Sequence, residues 1–452
     1  MYVVRRLLGN YGCSFVLTIS LVGLACSCGG GETGSVDAAD VRDATGTADA
    51  DVGAADASLI DASPADAGLL DAATSDAGAA VSPGSYSYEM LPINAQEVVR
   101  VEFHPDGRYA VVLSRLNLVY IYDWPTRTTQ TVNLDIPGPT NDTGLYDLAF
   151  DPSGDFFYVV GAETVAGAET GVIFRFNDAL VRAGMATAAA TRLSETRAGE
   201  RFSAIEYPIA PHTGGPVVLS TTQLAAYTAY LRELNTTTDT FSGFSQSWAA
   251  DAALMDMAWS NNAFGGWGIA LVGGFGGTDA PYYTEIASSP TWTPEPTPSL
   301  GAVHRIAAHP SGNYALGIGT TGDGSIHRIE GGAWFNGSTS PSWAFPLFGV
   351  AFQQAGQRAL IVGRTRGDPL VGTVLEYRHD LWSTPAVTDV SIPNFSAPPL
   401  SGNANYKLHD AAFRPGCDGG LIAAGETNTN RGLIIEFGID GQTSCGGVLS
   451  LP

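Results

Sequence analysis

The stretch FHPDGRYAVVL (Phe103 to Leu113) constrains this chain more than any other feature, because it recurs. VVRVEFHPDGRYAVVLS (98–114) aligns with LYDLAFDPSGDFFYVVG (145–161), VHRIAAHPSGNYALGIG (303–319) and LFGVAFQQAGQRALIVG (347–363). KLHDAAFRPGCDGGLIAAG (407–425) fits with a short insertion, while RFSAIEYPIAPHTGGPVVLS (201–220) and LMDMAWSNNAFGGWGIALVG (254–273) are degenerate copies. The anchor residues are Phe103, Phe150, Tyr207, Trp259, Ala308, Phe352 and Phe413, spaced 47, 57, 52, 49, 44 and 61 residues apart. A chain of 452 residues is long for one compact domain unless repetition builds it.

Each copy has a physical logic. Pro105, Pro152 and Pro310 fix φ at the first turn position, and Gly107, Gly154, Gly312 and Gly356 supply the left-handed residue that closes a hairpin. The apolar run after the turn is a buried strand. A third strand follows in LVYIYD (118–123), GVIFRFND (171–178), GTVLEYRHD (372–380) and GLIIEFGID (432–440), which alternate as half-buried strands do. A fourth appears as TQTVNLDI (129–136). With 55 Gly and 26 Pro, the chain has turns enough for many short strands, and long amphipathic helices are hard to find. Four antiparallel strands per unit at this period predict an all-β fold over residues 86–452, a seven-bladed β-propeller of four-stranded antiparallel blades. SYSYEMLPI (85–93) resembles TQTVNLDI and is expected to be the outer strand of the last blade, closing the ring without exposed edges.

VEFHPDGRYAVVLSRLNLVYIYD resembles the YVTN-type and lactonase-like propeller repeats of bacteria, related in architecture to WD-repeat proteins. The resemblance covers residues 86–452. It implies fold rather than activity: no Trp-Asp ends a third strand, Asp123 following Tyr122 instead, and no lactonase catalytic residue can be placed.

Residues 1–25 read as a leader. Arg5 and Arg6 form a positive n-region, and Cys13 to Ala25 is an apolar h-region too short for a comfortable membrane span. GLACSCGGG resembles the lipobox of bacterial lipoproteins, with Cys26 as the lipidated residue and Cys28 as the alternative. Neither is followed by Asp, which implies an outer-membrane lipoprotein of the bacterial cell envelope, held to the membrane through its N-terminal lipid only; an ordinary cleaved signal peptide is the other reading. Residues 26–85 then form an Ala/Asp-rich linker. Asp51, Asp56, Asp61, Asp66, Asp71 and Asp76 recur every five residues, which carries Asp around every face of a helix and leaves no apolar stripe. Between Glu32 and Asp76, eleven acidic residues face Arg42 alone, so the segment is expected to be a disordered, self-repelling stalk spanning roughly 40 Å.

The formal net charge of −23 argues against nucleic acid and anionic membrane surfaces as partners. No HExxH, GxSxG or CxxCH occurs, and GIGTTG (317–322) leads into the strand SIHRIE rather than a helix, so it is a turn and not a phosphate loop. The alignment does single out one constellation. Three residues before the anchor stand Arg100, Asp147, Ala204, Asp256, Arg305, Gly349 and Asp410, with His304 and His409 one position earlier in copies five and seven. Such charges would gather at one mouth of a central channel. Three carboxylates and two imidazoles there suit a cation such as Ca²⁺ or a substrate. Alternatively, Arg100 between Asp410 and Asp147, and Arg305 beside Asp256, simply pair between blades or bind backbone amides. Cys417 and Cys445 are expected to form a disulfide fastening the C-terminal tail, the alternative being two free thiols. Two functional readings stay open: a monomeric, lipid-anchored binding or protein-interaction module with no cofactor, its protein or small-molecule ligand unidentified, and a lactonase-like or quinoprotein-like enzyme with its site at the channel mouth.

Overall fold

Every copy of the repeat becomes one antiparallel sheet, and the sheets are numbered here by copy. Sheet one holds β2 (Val98–Phe103), β3 (Tyr109–Ser114), β4 (Leu118–Asp123) and β5 (Thr128–Asn133), after β1 (Tyr86–Gln96). Sheet two holds β6 (Gly144–Phe150), β7 (Phe156–Val165) and β8 (Ala168–Asn177), then, beyond the short helices α1 (Asp178–Arg182) and α2 (Ala186–Ala189), β9 (Ala190–Arg192) and β10 (Arg197–Ala198), which both pair with β8. Sheet three holds β11 (Glu200–Glu206), β12 (Val217–Thr222), β13 (Tyr227–Asn235) and β14 (Thr240–Ala250); sheet four β15 (Ala253–Ser260), β16 (Gly268–Phe275), β17 (Tyr282–Glu285) and β18 (Thr293–Pro294). Sheet five holds β19 (Val303–Ala308), β20 (Tyr314–Gly319), β21 (Ser325–Glu330) and β22 (Ala333–Phe335); sheet six β23 (Leu347–Phe352), β24 (Arg358–Arg364), β25 (Gly372–Arg378) and β26 (Val387–Asp389). Sheet seven holds β27 (Tyr406–Phe413), β28 (Gly419–Glu426) and β29 (Arg431–Ile439), with β1 as its outer strand, Tyr86 opposite Ile439 and Gln96 opposite Arg431. SYSYEMLPI thus lies where its likeness to TQTVNLDI puts it.

This computed structural model describes residues 86–137, 143–209, 214–222, 227–250, 253–260, 268–275, 282–285, 293–294, 303–319, 325–330, 333–335, 346–365, 372–378, 387–389, 406–426 and 431–439. The expected leader, the lipidation cysteines Cys26 and Cys28, the linker and Cys445 lie outside them. Among the described residues no helix is long and apolar enough to cross a membrane.

The first strand of each sheet touches the first strand of the next, and β27 of sheet seven touches β2 of sheet one, so the contacts form a closed cycle. Alternation along the strands explains the core. Tyr109, Val111 and Leu113 of β3 pack toward sheet two with Leu148, Phe157 and Val159, while Ala110 and Val112 pack toward sheet seven with Leu421, Ala423 and Ile434. The core is therefore divided among the gaps between neighbouring sheets. The third strands, expected to be half-buried, are covered on both faces: Gly372–Arg378 is buried throughout, and so is β29 beyond Arg431. A sheet sandwiched between two others has no solvent face until its outer strand, where β5 is largely exposed.

The hairpin turns repeat in detail. The residue after the anchor accepts from the N–H three residues on, as in Gly107 N to His104 O (2.7 Å) and Gly154 N to Asp151 O (2.8 Å). Gly107, Gly154, Gly312 and Gly356 all have φ between 69° and 79°, the left-handed residue expected. Copy seven has no insertion, contrary to the alignment: Phe413 opposes Gly420 as Phe103 opposes Ala110. Its left-handed glycine is Gly416 (φ 70°), one position earlier, so Pro415-Gly416 turns in type II fashion where the others place glycine after a type I turn.

In copies one, four, five and seven the same residue after the anchor also latches onto the turn of the next sheet. His104 Nε2 donates to Gly154 O (3.0 Å), Ser260 Oγ to Gly312 O (2.6 Å), His309 Nε2 to Gly356 O (2.7 Å), and Arg414 Nε to Gly107 O (2.7 Å), closing from sheet seven to sheet one. The direction follows because a carbonyl can only accept. These contacts leave no room for a side chain: a Cβ on Gly154 would stand 2.5 Å from His104 Nε2.

Candidate functional site

The first strands share a feature invisible in the sequence. Each carries an extra, unpaired residue just before the position three ahead of the anchor: the register slips between Val98 and Arg100, Leu145 and Asp147, Phe202 and Ala204, Leu254 and Asp256, Val303 and Arg305, Leu347 and Gly349, and Leu408 and Asp410. A bulge re-aims the residues beside it. His304 and His409 are themselves the extra residues in sheets five and seven.

The re-aimed aspartates all do the same thing. Asp410 Oδ2 accepts from Val101 N (3.1 Å), Asp147 Oδ2 from Ile205 N (2.9 Å) and Asp256 Oδ2 from Ile306 N (2.9 Å), in each case the backbone of the following sheet's first strand. Arg100 lies between two of them, Nε 2.7 Å from Asp147 Oδ1 in an ion pair not aligned as a hydrogen bond, and Nη1 3.6 Å from Asp410 Oδ2. Arg305 Nη1 is 3.4 Å from Asp256 Oδ1. Burial opposes the Arg100 charge, but Asp147, Asp410 and Asp256 outweigh it and hold the guanidinium well above its ordinary value. Burial also pushes Asp147 and Asp410 up, against the pull of Arg100. The structure therefore brings Arg100, Asp147 and Asp410 together, and Asp256 with Arg305, as inter-sheet ties. Among the described residues no group of three His, Cys, Asp or Glu side chains is arranged to hold a metal ion. At Gly349 the equivalent position has no side chain because Asp410 Cα would lie 2.5 Å from its Cβ.

Two residues further on, at the position just before the anchor, the strands present Glu102, Ala149, Glu206, Ala258, Ala307, Ala351 and Ala412. Sequence reasoning missed the two glutamates. The signal was available: residues two apart in a strand share a face, and only copies one and three replace Ala with a carboxylate. Burial, with Asp147 and Asp410 adding to it, pushes the Glu102 carboxyl up to about 8 despite Arg100 and a hydrogen bond from the Phe150 backbone. Burial likewise drives Glu206 well above the usual carboxylate range, and Asp256, Asp147 and Glu102 add to it. Both side chains are half-buried, and Glu102, at about 8, is protonated at neutral pH. Such a group donates a hydrogen bond or a proton.

His409 does not join the aspartates. His409 Nε2 lies 2.7 Å from Glu97 Oε1, and Lys407 Nζ (3.8 Å) and Arg115 Nη1 (3.4 Å to Oε2) crowd the same carboxylate. Burial would raise Glu97, but His409, Lys407 and Arg115 prevail and hold it at about 2. Burial and the neighbouring Arg305 lower His304 to about 4, so it is neutral at physiological pH. Cys417 sits in the sheet-seven turn, its N–H bonded to Arg414 O (3.1 Å), and is disulfide-bonded. GIGTTG begins in β20, which pairs directly with β21, as expected of a strand connection.

No protein-family model matches the chain, and no curated protein matches it.

Proposed function

We propose that this protein is a lipid-anchored envelope lipoprotein whose seven sheets are the blades of a β-propeller serving as a binding module. The observation that carries this reading is the use made of Asp147, Asp256 and Asp410. Each holds a backbone N–H of the next sheet with one oxygen and meets an arginine. Acids so engaged position strands and are poorly placed to take a proton from a substrate. The closed cycle of first strands and the outer strand contributed by β1 support the propeller architecture. The lipobox-like GLACSCGGG and the acidic linker support an anchored, stalked domain. In this reading Cys417 pairs with Cys445, tying down the C-terminal tail.

Palmitate labelling tests the anchor: incorporation in the wild type and its loss in Cys26→Ala are expected, and no incorporation in the wild type overturns it. A lactone panel tests the module reading, with no turnover above background expected.

The second reading, an enzyme of lactonase or quinoprotein type, draws on a different observation from the aspartates. Glu102, pushed to about 8 beside Arg100, is suited to general-acid work. Turnover that disappears in Glu102→Gln and Glu206→Gln would replace the binding reading with this one.

A further inference from the structure

The bulged end of the first strands carries a charge imbalance opposite to that of the whole chain. At the junction of sheets six, seven and one, Arg364 ends β24, Lys407 lies in β27, and Arg115 follows β3. Among the described residues the carboxylate that pairs with them is Glu97, which ion-pairs with Lys407 and Arg115 and bonds His409. Arg364 has neither a hydrogen-bonded nor an ion-paired side-chain partner among the described residues; its Nε is buried without an acceptor, and its guanidinium stands 5.8 Å over the Phe348 ring. The Phe348 and His409 rings lie 5.7 Å apart, which joins the arginine to the Glu97 group in one patch. Counted over the described residues that pair here, three cations meet one carboxylate, an excess of positive charge in a protein whose net charge is −23. Burial lowers the Lys407 pKa; Glu97 opposes this, and Arg364 and Arg115 both add to the lowering, so the two arginines act on Lys407. Partly buried cations held together without matching anions are costly, and a bound anion removes that cost.

We propose that Arg364, Lys407 and Arg115, with His409 and the Phe348 ring beside them, form a site for a small ligand carrying a phosphate or carboxylate group with about two negative charges. The inference rests on the binding-module reading and names the ligand chemistry of that face.

The test uses the full chain and two probes, inorganic phosphate and citrate, titrated calorimetrically at low and high chloride. Saturable binding of at least one probe is expected. Uptake of phosphate alone assigns a phosphorylated ligand, and of citrate alone a polycarboxylate. Arg364→Gln and Lys407→Gln should each weaken binding about tenfold or more, whereas Arg127→Gln, whose guanidinium pairs with Glu89 and Glu436, leaves it unchanged. Without ligand, Arg364→Gln should melt at or above the wild-type temperature, since it removes a crowded cation that has no ion pair among the described residues. No saturable uptake of either probe, or wild-type affinity in both variants, overturns the proposal. Absence of anion binding while the lactone panel stays silent refutes only this site. Lactone turnover dependent on Glu102 and Glu206 refutes the module reading itself.

Discussion

Glu102 allows a sharp test of the electrostatics at the centre of the cycle, because the sign of the effect depends on its protonation. Its carboxyl titrates near 8 when folded, against an ordinary value of 4.5, chiefly through burial. Between those two pH values the folded protein keeps a proton that the unfolded chain releases. The folded state therefore binds more protons, and stability falls as pH rises through the interval. The slope is ~1.4 kcal/mol per pH unit, which over the full interval gives an upper bound of ~5 kcal/mol. Water reaching the half-buried side chain screens it, so a loss on the order of 2–3 kcal/mol is the working figure. Glu102→Gln mimics the protonated acid and keeps an oxygen for the Phe150 N–H. It should match the wild type near pH 4.5 and exceed it by that amount at pH 8 and above. Urea unfolding, followed by the fluorescence of the buried Trp124 and Trp259, measures the difference across pH. Parallel pH curves for the two proteins, or a variant less stable than the wild type at pH 8, would show that Glu102 is ionised and paired with Arg100, and would refute the reasoning.

Glu97 has the opposite sign: its carboxyl is held at about 2, so its stabilisation is complete above pH 4.5 and is lost as pH falls toward 2. Glu97→Gln should remove on the order of 2–3 kcal/mol at neutral pH and flatten acid denaturation in that window, read by urea midpoints at pH 2.5 and 7. Gly154→Ala should cost about 2 kcal/mol or more, since it combines a φ of 79° with a Cβ 2.5 Å from His104 Nε2. Gly184→Ala, at φ 78° with nothing within 4 Å, should cost only about 1 kcal/mol, and equal losses in the two would dismiss the latch. Asp256→Ala strands both the Ile306 N–H and Arg305 and should lower unfolding free energy by about 3–5 kcal/mol, measured by chemical denaturation.

The hairpin turn was the most legible element, since Pro and Gly dictate φ locally, and the left-handed Gly107, Gly154, Gly312 and Gly356 follow from that alone. Gly416 escaped because Pro-Gly and Pro-Asp-Gly turns close the same length of chain with the glycine one position apart. Three residues before the anchor the alignment shows five charged positions, of which Arg100 meets Asp147 and Asp410, and Arg305 meets Asp256. Their task depends on a bulge that no residue type marks: its seven extra residues range from Val99 and Ser203 to Phe348 and His409. The third strands read as half-buried because Thr, Glu and Arg punctuate them. Burial on both faces comes from neighbouring sheets about fifty residues away in sequence, and a local pattern does not contain that information. Glu102 and Glu206 were legible in principle, as departures from alanine at one register position.

The pairing of β1 with β29 makes completion of the molecule depend on its two extremes. Tyr86 and Ile439 are adjacent in space, and joining them without the intervening structure would cost roughly 5 kcal/mol of chain entropy. The intervening sheets must largely assemble first, and the last pairing is the most non-local in the fold. Until then both β1 and the outer edge of β29 expose unpaired backbone, the feature that invites strand-to-strand aggregation. A chain cut short before residue 431 lacks the partner for β1 and cannot finish sheet seven. The register between these two strands thus separates complete from truncated chains, and truncation products should be recognisable by protease-sensitive N-terminal strands.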